Sequence, residues 1–410
     1  MNYITRDLED IVKQAAKEYS CIFLTGPRQI GKTSLLQRLD EKREVVTLDD
    51  FAERNLAKTD PEYFLQIHPA PVLIDEVQYA PQLFTYIKIA IDRGAPAGSF
   101  FLTGSQSYKL MDLASETLAG RTAVIEFNSL SQNEIYKDDE KDKDLEPFSL
   151  ILDYFRLRKN RIVGVHEIFR RIFEGSLPGH ISQKYTNRDL FYSSYINTYI
   201  TRDITDDEEA RNIDRDLLYN FVVAVAMNVG QILNIHKICQ DVGIQDSVGS
   251  KWLYYMERSG IIFYLTPYEN NLLKRTIKSK KIFFFDTGLV AYLTKCSSPK
   301  ILENHIFSTS LLENYVVLEV RKNYNNRGKT APLYYYHDKD GKEIDLIIEQ
   351  DGMLYPIEIN KSPSPTKSMV SAFSVLEKTH IPIGKGAIIC CKESFTALDS
   401  ENLIVNVGMI

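Results

Sequence analysis

Residues 21–34 read Cys21-Ile22-Phe23-Leu24-Thr25-Gly26-Pro27-Arg28-Gln29-Ile30-Gly31-Lys32-Thr33-Ser34. An apolar run breaks into a loop framed by two glycines, and the helical pattern Ser34-Leu35-Leu36-Gln37-Arg38-Leu39 follows at once. Strand, glycine-framed loop and helix in this order let backbone N–H groups curl around an anion while the helix offers its positive end. The spacing predicts a P-loop that cradles ATP through residues Gly26, Pro27, Arg28, Gln29, Ile30, Gly31, Lys32, Thr33 and Ser34. Lys32 is expected at the β- and γ-phosphates and the Thr33 hydroxyl on Mg²⁺.

Further apolar runs lie at 44–48, 72–75, 99–104 and 122–127, with helical patterns between them. That alternation predicts a parallel α/β sheet. The run Val72-Leu73-Ile74 ends in Asp75-Glu76. Asp75 is expected to hold the Mg²⁺ shell through water, and Glu76 to polarise the attacking water as a general base. Thr103-Gly104-Ser105-Gln106 falls at the carboxyl end of the fourth run. There Ser105 or Gln106 would sense the γ-phosphate, the competing reading being a plain turn. Arg121 precedes the fifth run. It would either stabilise transition-state charge, in cis or across the interface of a homo-oligomer, or form a surface salt bridge.

Composition agrees with a globular chain of two or three domains: 410 residues, 44% hydrophobic, 25% charged. The five cysteines have no CxxC spacing, which argues against a disulfide framework and a zinc site. The N-terminus has no apolar signal core and no run is long enough to span a bilayer, so a cytoplasmic location with no membrane contact is expected. With a net charge of −6, any nucleic-acid contact must come from a local basic patch.

The fully charged stretch 137–144 reads as a solvated linker after a first domain at 1–136. Helical spacing dominates 148–228, broken at Gly175-Ser176-Leu177-Pro178-Gly179, and the segment from Tyr195 to Thr205 reads as one helix. Residues 234–265 then outline a winged helix: a helix at 234–239, a glycine turn at Gly243, a helix at 247–259 and a strand at 261–265. Lys274, Arg275, Lys278, Lys280 and Lys281 would let its wing touch DNA phosphates, the bland alternative being a protein-docking or structural unit. Beyond Lys281, a helix around 311–320 precedes strands at 333–336, 343–349 and 354–360, with a turn at Asp351-Gly352. An acid at the start of the 343–349 strand and a second acid in its partner would converge on a second metal ion, with Glu313 or Glu319 arriving from the helix, the bland alternative being acids that alternate on the surface of a hairpin.

On these stretches, together with Tyr199-Ile200-Thr201-Arg202-Asp203 and Phe285-Asp286-Thr287-Gly288-Leu289, the chain resembles the prokaryotic P-loop ATPases of the AAA-like (ASCE) group with a C-terminal DUF4143 region. The resemblance spans nearly the whole chain. It implies a P-loop sheet of order 5-1-4-3-2 at 1–136, a helical region with a winged-helix-like unit at 148–281, and an α/β domain similar to PD-(D/E)xK nucleases at 282–410. In that pattern Asp345 and Glu358 match the two acids, whereas Asn360 stands where the lysine belongs. Lacking an ammonium there, the domain is expected to cleave slowly or not at all. Two functions follow as expectations: an ATP-hydrolysing switch whose nucleotide state controls DNA or protein binding by the C-terminal half, or an ATP-regulated DNA nuclease effector.

Overall fold

A computed structural model describes residues 3–104, 117–136, 152–200, 214–269 and 279–410. Five parallel strands, β1 (Cys21–Thr25), β2 (Glu44–Thr47), β3 (Val72–Asp75), β4 (Phe100–Gly104) and β5 (Thr122–Glu126), form one sheet in the order β2-β3-β4-β1-β5. This is the expected order, with every strand within a residue of its expected bounds. Alternation along β1 sends Ile22 and Leu24 to one face and Cys21 and Phe23 to the other, and all four are buried. A strand covered on both sides must be apolar at every position, which is why it reads as a continuous run. One face packs with the helices Phe51–Thr59, Pro61–Ile67 and Leu83–Asp92; the other joins a core that continues through the rest of the chain.

The middle of the chain is helical. The helix Val165–Glu174 ends at Gly175 as expected, and Arg188–Tyr195 continues into a π-helical turn over Ile196–Ile200. The remainder of the segment read as one helix to Thr205, and the charged stretch 137–144, lie outside the described residues. Helix Ile235–Val242 is capped by the Asn234 side chain on the Lys237 amide and stops at Gly243, whose left-handed conformation reverses the chain into helix Asp246–Arg258. Strands β6 (Ile262–Pro267) and β7 (Lys281–Phe284) then pair antiparallel.

These two strands do not stay with the helices. Thr266 and Pro267 of β6 pair in parallel with Tyr334 and Tyr335 of β8 (Leu333–His337), joining the hairpin to the C-terminal sheet. With β9 (Glu343–Gln350), β10 (Met353–Asn360), β11 (Gly386–Cys390), β12 (Thr396–Ala397) and β13 (Asn402–Asn406), the sheet runs β12-β13-β11-β10-β9-β8-β6-β7. The boundary expected between residues 281 and 282 therefore falls inside β7. Local pattern could not reveal this, because pairing between residues 68 positions apart leaves no periodic trace.

Helix Ser308–Asn325 runs through the interior and is buried on nearly every side. Its polar residues consequently need internal partners. Asn314 exchanges two hydrogen bonds with the backbone of Phe284, at 2.7 and 2.9 Å. Lys322 donates to Glu319 at 2.9 Å, to the Leu130 carbonyl at 2.7 Å and to the Ser176 hydroxyl at 3.2 Å, while Glu319 accepts from the Gln132 amide at 2.8 Å. Removing one member of such a buried pair strands the other charge. Lys322→Met is expected to lower unfolding stability by about 3–5 kcal/mol in chemical denaturation.

Candidate functional site

The P-loop follows β1 at the carboxyl edge of the first sheet, and its shape depends on close packing. Gly26 has φ +155°, and a Cβ there would sit 2.1 Å from the Phe127 carbonyl oxygen. Gly31 forms the N-cap of helix Lys32–Leu39, whose first amides face the loop. Lys32 is buried, its ammonium donating to the carbonyls of Gly26 and Pro27 at 3.0 and 2.8 Å. An arginine that the sequence reading passed over secures the far side. Arg6, 4% exposed, donates to the Ile30 carbonyl at 2.9 Å, the Asn128 carbonyl at 2.7 Å and Glu134 at 2.9 Å, and it stacks on Phe127.

Beside the loop, Asp75 gathers hydroxyls from three elements. Thr33 donates to Oδ1 at 2.6 Å, Thr103 donates to the same oxygen, and Thr47 lies 3.4 Å from Oδ2. Hydroxyl and carboxylate oxygens are the donors Mg²⁺ prefers, and this set leaves the rest of its shell to phosphate and water, so the residues fit a nucleotide-bound Mg²⁺. Glu76 takes the left-handed conformation at φ +59°, a strained geometry typical of functional positions. Its amide donates to Thr103 Oγ1 at 3.2 Å, and its carboxylate meets Gln78 and lies 3.9 Å from Arg28. Thr103 thus couples Asp75 to Glu76, while Ser105 and Gln106, expected as the γ-phosphate sensors, lie outside the described residues. Next to the loop opens a cavity of about 440 Å³, with Tyr3, Arg6, Gly31, Ser34, Pro178 and Tyr185 among its lining.

Arg121 does not join this site within the chain. It stands before β5 at the amino edge of the sheet, the length of β1 away from the loop, where it pairs with Asp92 at 2.6 Å and donates to the Ala119 carbonyl at 3.1 Å. The cis role is corrected to the surface ion pair, because the strand direction puts the residue at the wrong end.

The second cluster also differs from expectation. Lys281, read from the sequence as a wing cation for DNA, is buried instead. Its ammonium lies 2.8 Å from Glu313, 2.6 Å from Glu343 and 4.0 Å from Asp345. Of the basic segment, Lys274, Arg275 and Lys278 lie outside the described residues. Glu319 is removed from the acid set too, since it faces Lys322 and Gln132. Asp345 accepts the Ile359 amide at 2.8 Å. Among the described residues no group of three or more His, Cys, Asp or Glu side chains is arranged to hold a metal ion, and in this arrangement the acids Glu313, Glu343 and Asp345 face an ammonium.

The electrostatics of this cluster follow from its unequal charge. Burial pushes the Glu313 carboxyl up to about 8 against the pull of Lys281. Burial, with the charges of Asp345, Glu343 and Glu313, pushes Glu358 up to about 8, and burial also raises Asp345. Burial would lower Lys281, but Glu313, Asp345 and Glu343 outweigh it and hold the ammonium above the usual lysine range. The ammonium among these acids comes from β7, a neighbour that no local spacing discloses.

Sheet order and phosphate loop together define a P-loop ATPase-like fold. Residues 18–136 match the AAA domain, residues 165–300 a domain of unknown function (DUF8612) and residues 308–410 a domain of unknown function (DUF4143). An AAA domain and a C-terminal DUF4143 domain thus occur in one chain, the arrangement that the resemblance implied. The uncharacterized proteins Rv2008c of Mycobacterium tuberculosis and Mb2031c of Mycobacterium bovis are each 26% identical over 385 residues, covering 92% of this chain and 79% of theirs. Among solved structures, the Walker-type ATPase paby2304 of Pyrococcus abyssi is similar over 70% of this chain and 94% of its own, at 15% identity and a TM-score of 0.37. Among the described residues no helix is long and apolar enough to cross a membrane.

Thr103→Val keeps the shape of the strand end but leaves the Glu76 amide and Asp75 each short of a partner. It is expected to cost about 1–3 kcal/mol in thermal or chemical unfolding.

Proposed function

We propose that this protein is an ATP-hydrolysing switch whose nucleotide state controls DNA or protein binding by its C-terminal half. The observation that carries the reading is a contact between the phosphate loop and the unit that would respond. Gly260 lies between helix Asp246–Arg258 and β6, and Pro27 of the P-loop lies against it so closely that a Cβ at Gly260 would stand 2.6 Å from Pro27 Cγ. Any shift of the loop on gaining or losing a phosphate meets that helix–strand junction directly. Two helices around a left-handed glycine followed by a hairpin support a winged-helix reading of this unit, with DNA or a protein as its partner.

In this reading the P-loop residues and Ser34 hold the phosphates, and the cavity lined by Tyr3 and Tyr185 receives the nucleoside. Thr33 would hold Mg²⁺ directly and Asp75 through water; the ion would neutralise phosphate charge. Lys32 binds the β- and γ-phosphates. Glu76 accepts a proton from water as general base, and its strained backbone aims the carboxylate. Arg121 can contribute only from another subunit of a homo-oligomer. Cytoplasmic residence fits the five free, buried cysteines.

A second reading, the ATP-regulated nuclease, is favoured by Lys281. With an ammonium beside Asp345 and Glu358, the absence of a lysine at residue 360 no longer argues for an inert domain. Plasmid cutting in Mg²⁺ or Mn²⁺ that disappears in Asp345→Ala and Lys281→Met would favour this reading. Intact plasmid under both metals leaves the switch alone.

Lys32→Ala is expected to weaken ATP binding at least about 100-fold in calorimetry, as loss of a buried charge–phosphate contact requires. Glu76→Gln is expected to bind ATP normally and turn it over at least about 100-fold more slowly. Unchanged affinity in the first variant, or undiminished hydrolysis in the second, contradicts the assigned roles.

A further inference from the structure

A second cavity lies on the opposite edge of the ATPase sheet from the P-loop. It is an open cleft of about 560 Å³ where the chain enters β2, β3 and β4, under helix Glu9–Glu18. That volume is in the range of small-molecule sites. Its lining is cationic: Lys13 and Lys17 stand one helical turn apart, Arg43 comes from the turn before β2, and Asp40 is the one acid among the lining residues.

Arg43 is the built part of the site. Its side chain is only 7% exposed and stacks over the Phe101 ring at 3.7 Å from guanidinium carbon to centroid, which fixes its plane. Nη1 donates to the Ser99 carbonyl at 3.2 Å. Nε is 3.3 Å from Asp40 Oδ2, yet it is a buried donor with no hydrogen bond of good geometry. Nε is turned toward Asp40 and shut off from the cavity, so the edge of the guanidinium left for a ligand is Nη2, which makes no hydrogen bond to a described residue. A guanidinium fixed in its plane with Nη2 left over suits a phosphate, to which Arg donates charge-assisted hydrogen bonds. Lys13 and Lys17 would add charge from the rim, although Lys13 is also drawn to Asp10 at 3.3 Å.

We propose that this cavity binds a phosphate-bearing small molecule, with Arg43 as its anchor and Lys13 and Lys17 at its mouth. The site is separate from the nucleotide site and presents its ligand to the loops that enter β2, β3 and β4. A single deeply held arginine with two lysines at the rim suits one compact phosphate group better than the extended backbone of a nucleic acid.

Pyrophosphate is the probe, titrated by calorimetry into full-length Lys32→Ala protein so that the P-loop contributes little. Saturable binding is expected, weakened at least about tenfold by Arg43→Gln, equivalent to about 1.4 kcal/mol. The exposed pair Lys13→Gln with Lys17→Gln is expected to weaken it as well, which keeps the test valid if Arg43→Gln does not fold. Failure of pyrophosphate to bind, or binding that neither variant alters, overturns the proposal. A short single-stranded DNA that binds through the same three residues without being displaced by pyrophosphate also overturns it, in favour of a nucleic-acid contact. ATP binding at the P-loop is measured independently in the wild type, so failure of one site is distinguishable from failure of the other.

Discussion

Residues 127–131, which lead from the fifth strand into the helix Gln132–Tyr136, are irregular yet buried, and an irregular segment in the interior must have its backbone groups satisfied by side chains or neighbouring loops. Here the partners come from the whole chain. The Phe127 amide donates to the Thr25 carbonyl, Arg6 donates to the Asn128 carbonyl, and Lys322 donates to the Leu130 carbonyl. The Leu130 amide donates to Ser176, the Ser131 amide to Glu134 and the Gln132 amide to Glu319. The N-terminal segment, the helical middle and the DUF4143 helix are thus bound to one strip of backbone. Releasing any of them would expose or orphan polar groups in the others.

This seam explains why the P-loop is not an isolated feature. Phe127 presses its carbonyl on Gly26, and Arg6 holds both the strip and the Ile30 carbonyl, so the shape of the loop is set from outside the nucleotide fold. On its other side the loop meets Gly260. Asp286 sits close by, capping helix Thr287–Leu293 through the Leu289 amide and accepting from Ser176 and Tyr192. A motion of the loop is therefore opposed or transmitted by packed groups, which interiors convert into discrete rearrangements more readily than into gradual ones.

What the sequence disclosed was local. The P-loop, the Asp75-Glu76 pair and all five strands of the first sheet were legible because each is a short run whose alternation or glycine spacing carries its own cause. Gly243 and the helices flanking it were legible for the same reason. Lys281 was misread because a lysine beside other cations looks like a surface patch until β6 and β7 join the C-terminal sheet. Glu319 shares a helix with Glu313, but six residues carry it to another turn and another neighbour, a direction that sequence spacing alone could not assign on a helix buried all round. Arg6 gave no signal: its partners lie 24, 122 and 128 positions away. Arg121 failed for a simpler reason, since position along a strand, not proximity in sequence, decides which sheet edge a residue occupies.

The claim that ties these features together is that the phosphate loop and the 246–267 unit move as one. Backbone hydrogen–deuterium exchange, compared with and without Mg²⁺ and ATP, tests it directly. The account predicts that nucleotide changes protection at residues 256–263 as well as at 26–34, and that Gly260→Ala, which crowds Pro27, removes the distant change while leaving the local one. Protection confined to the loop in the wild-type protein would contradict it.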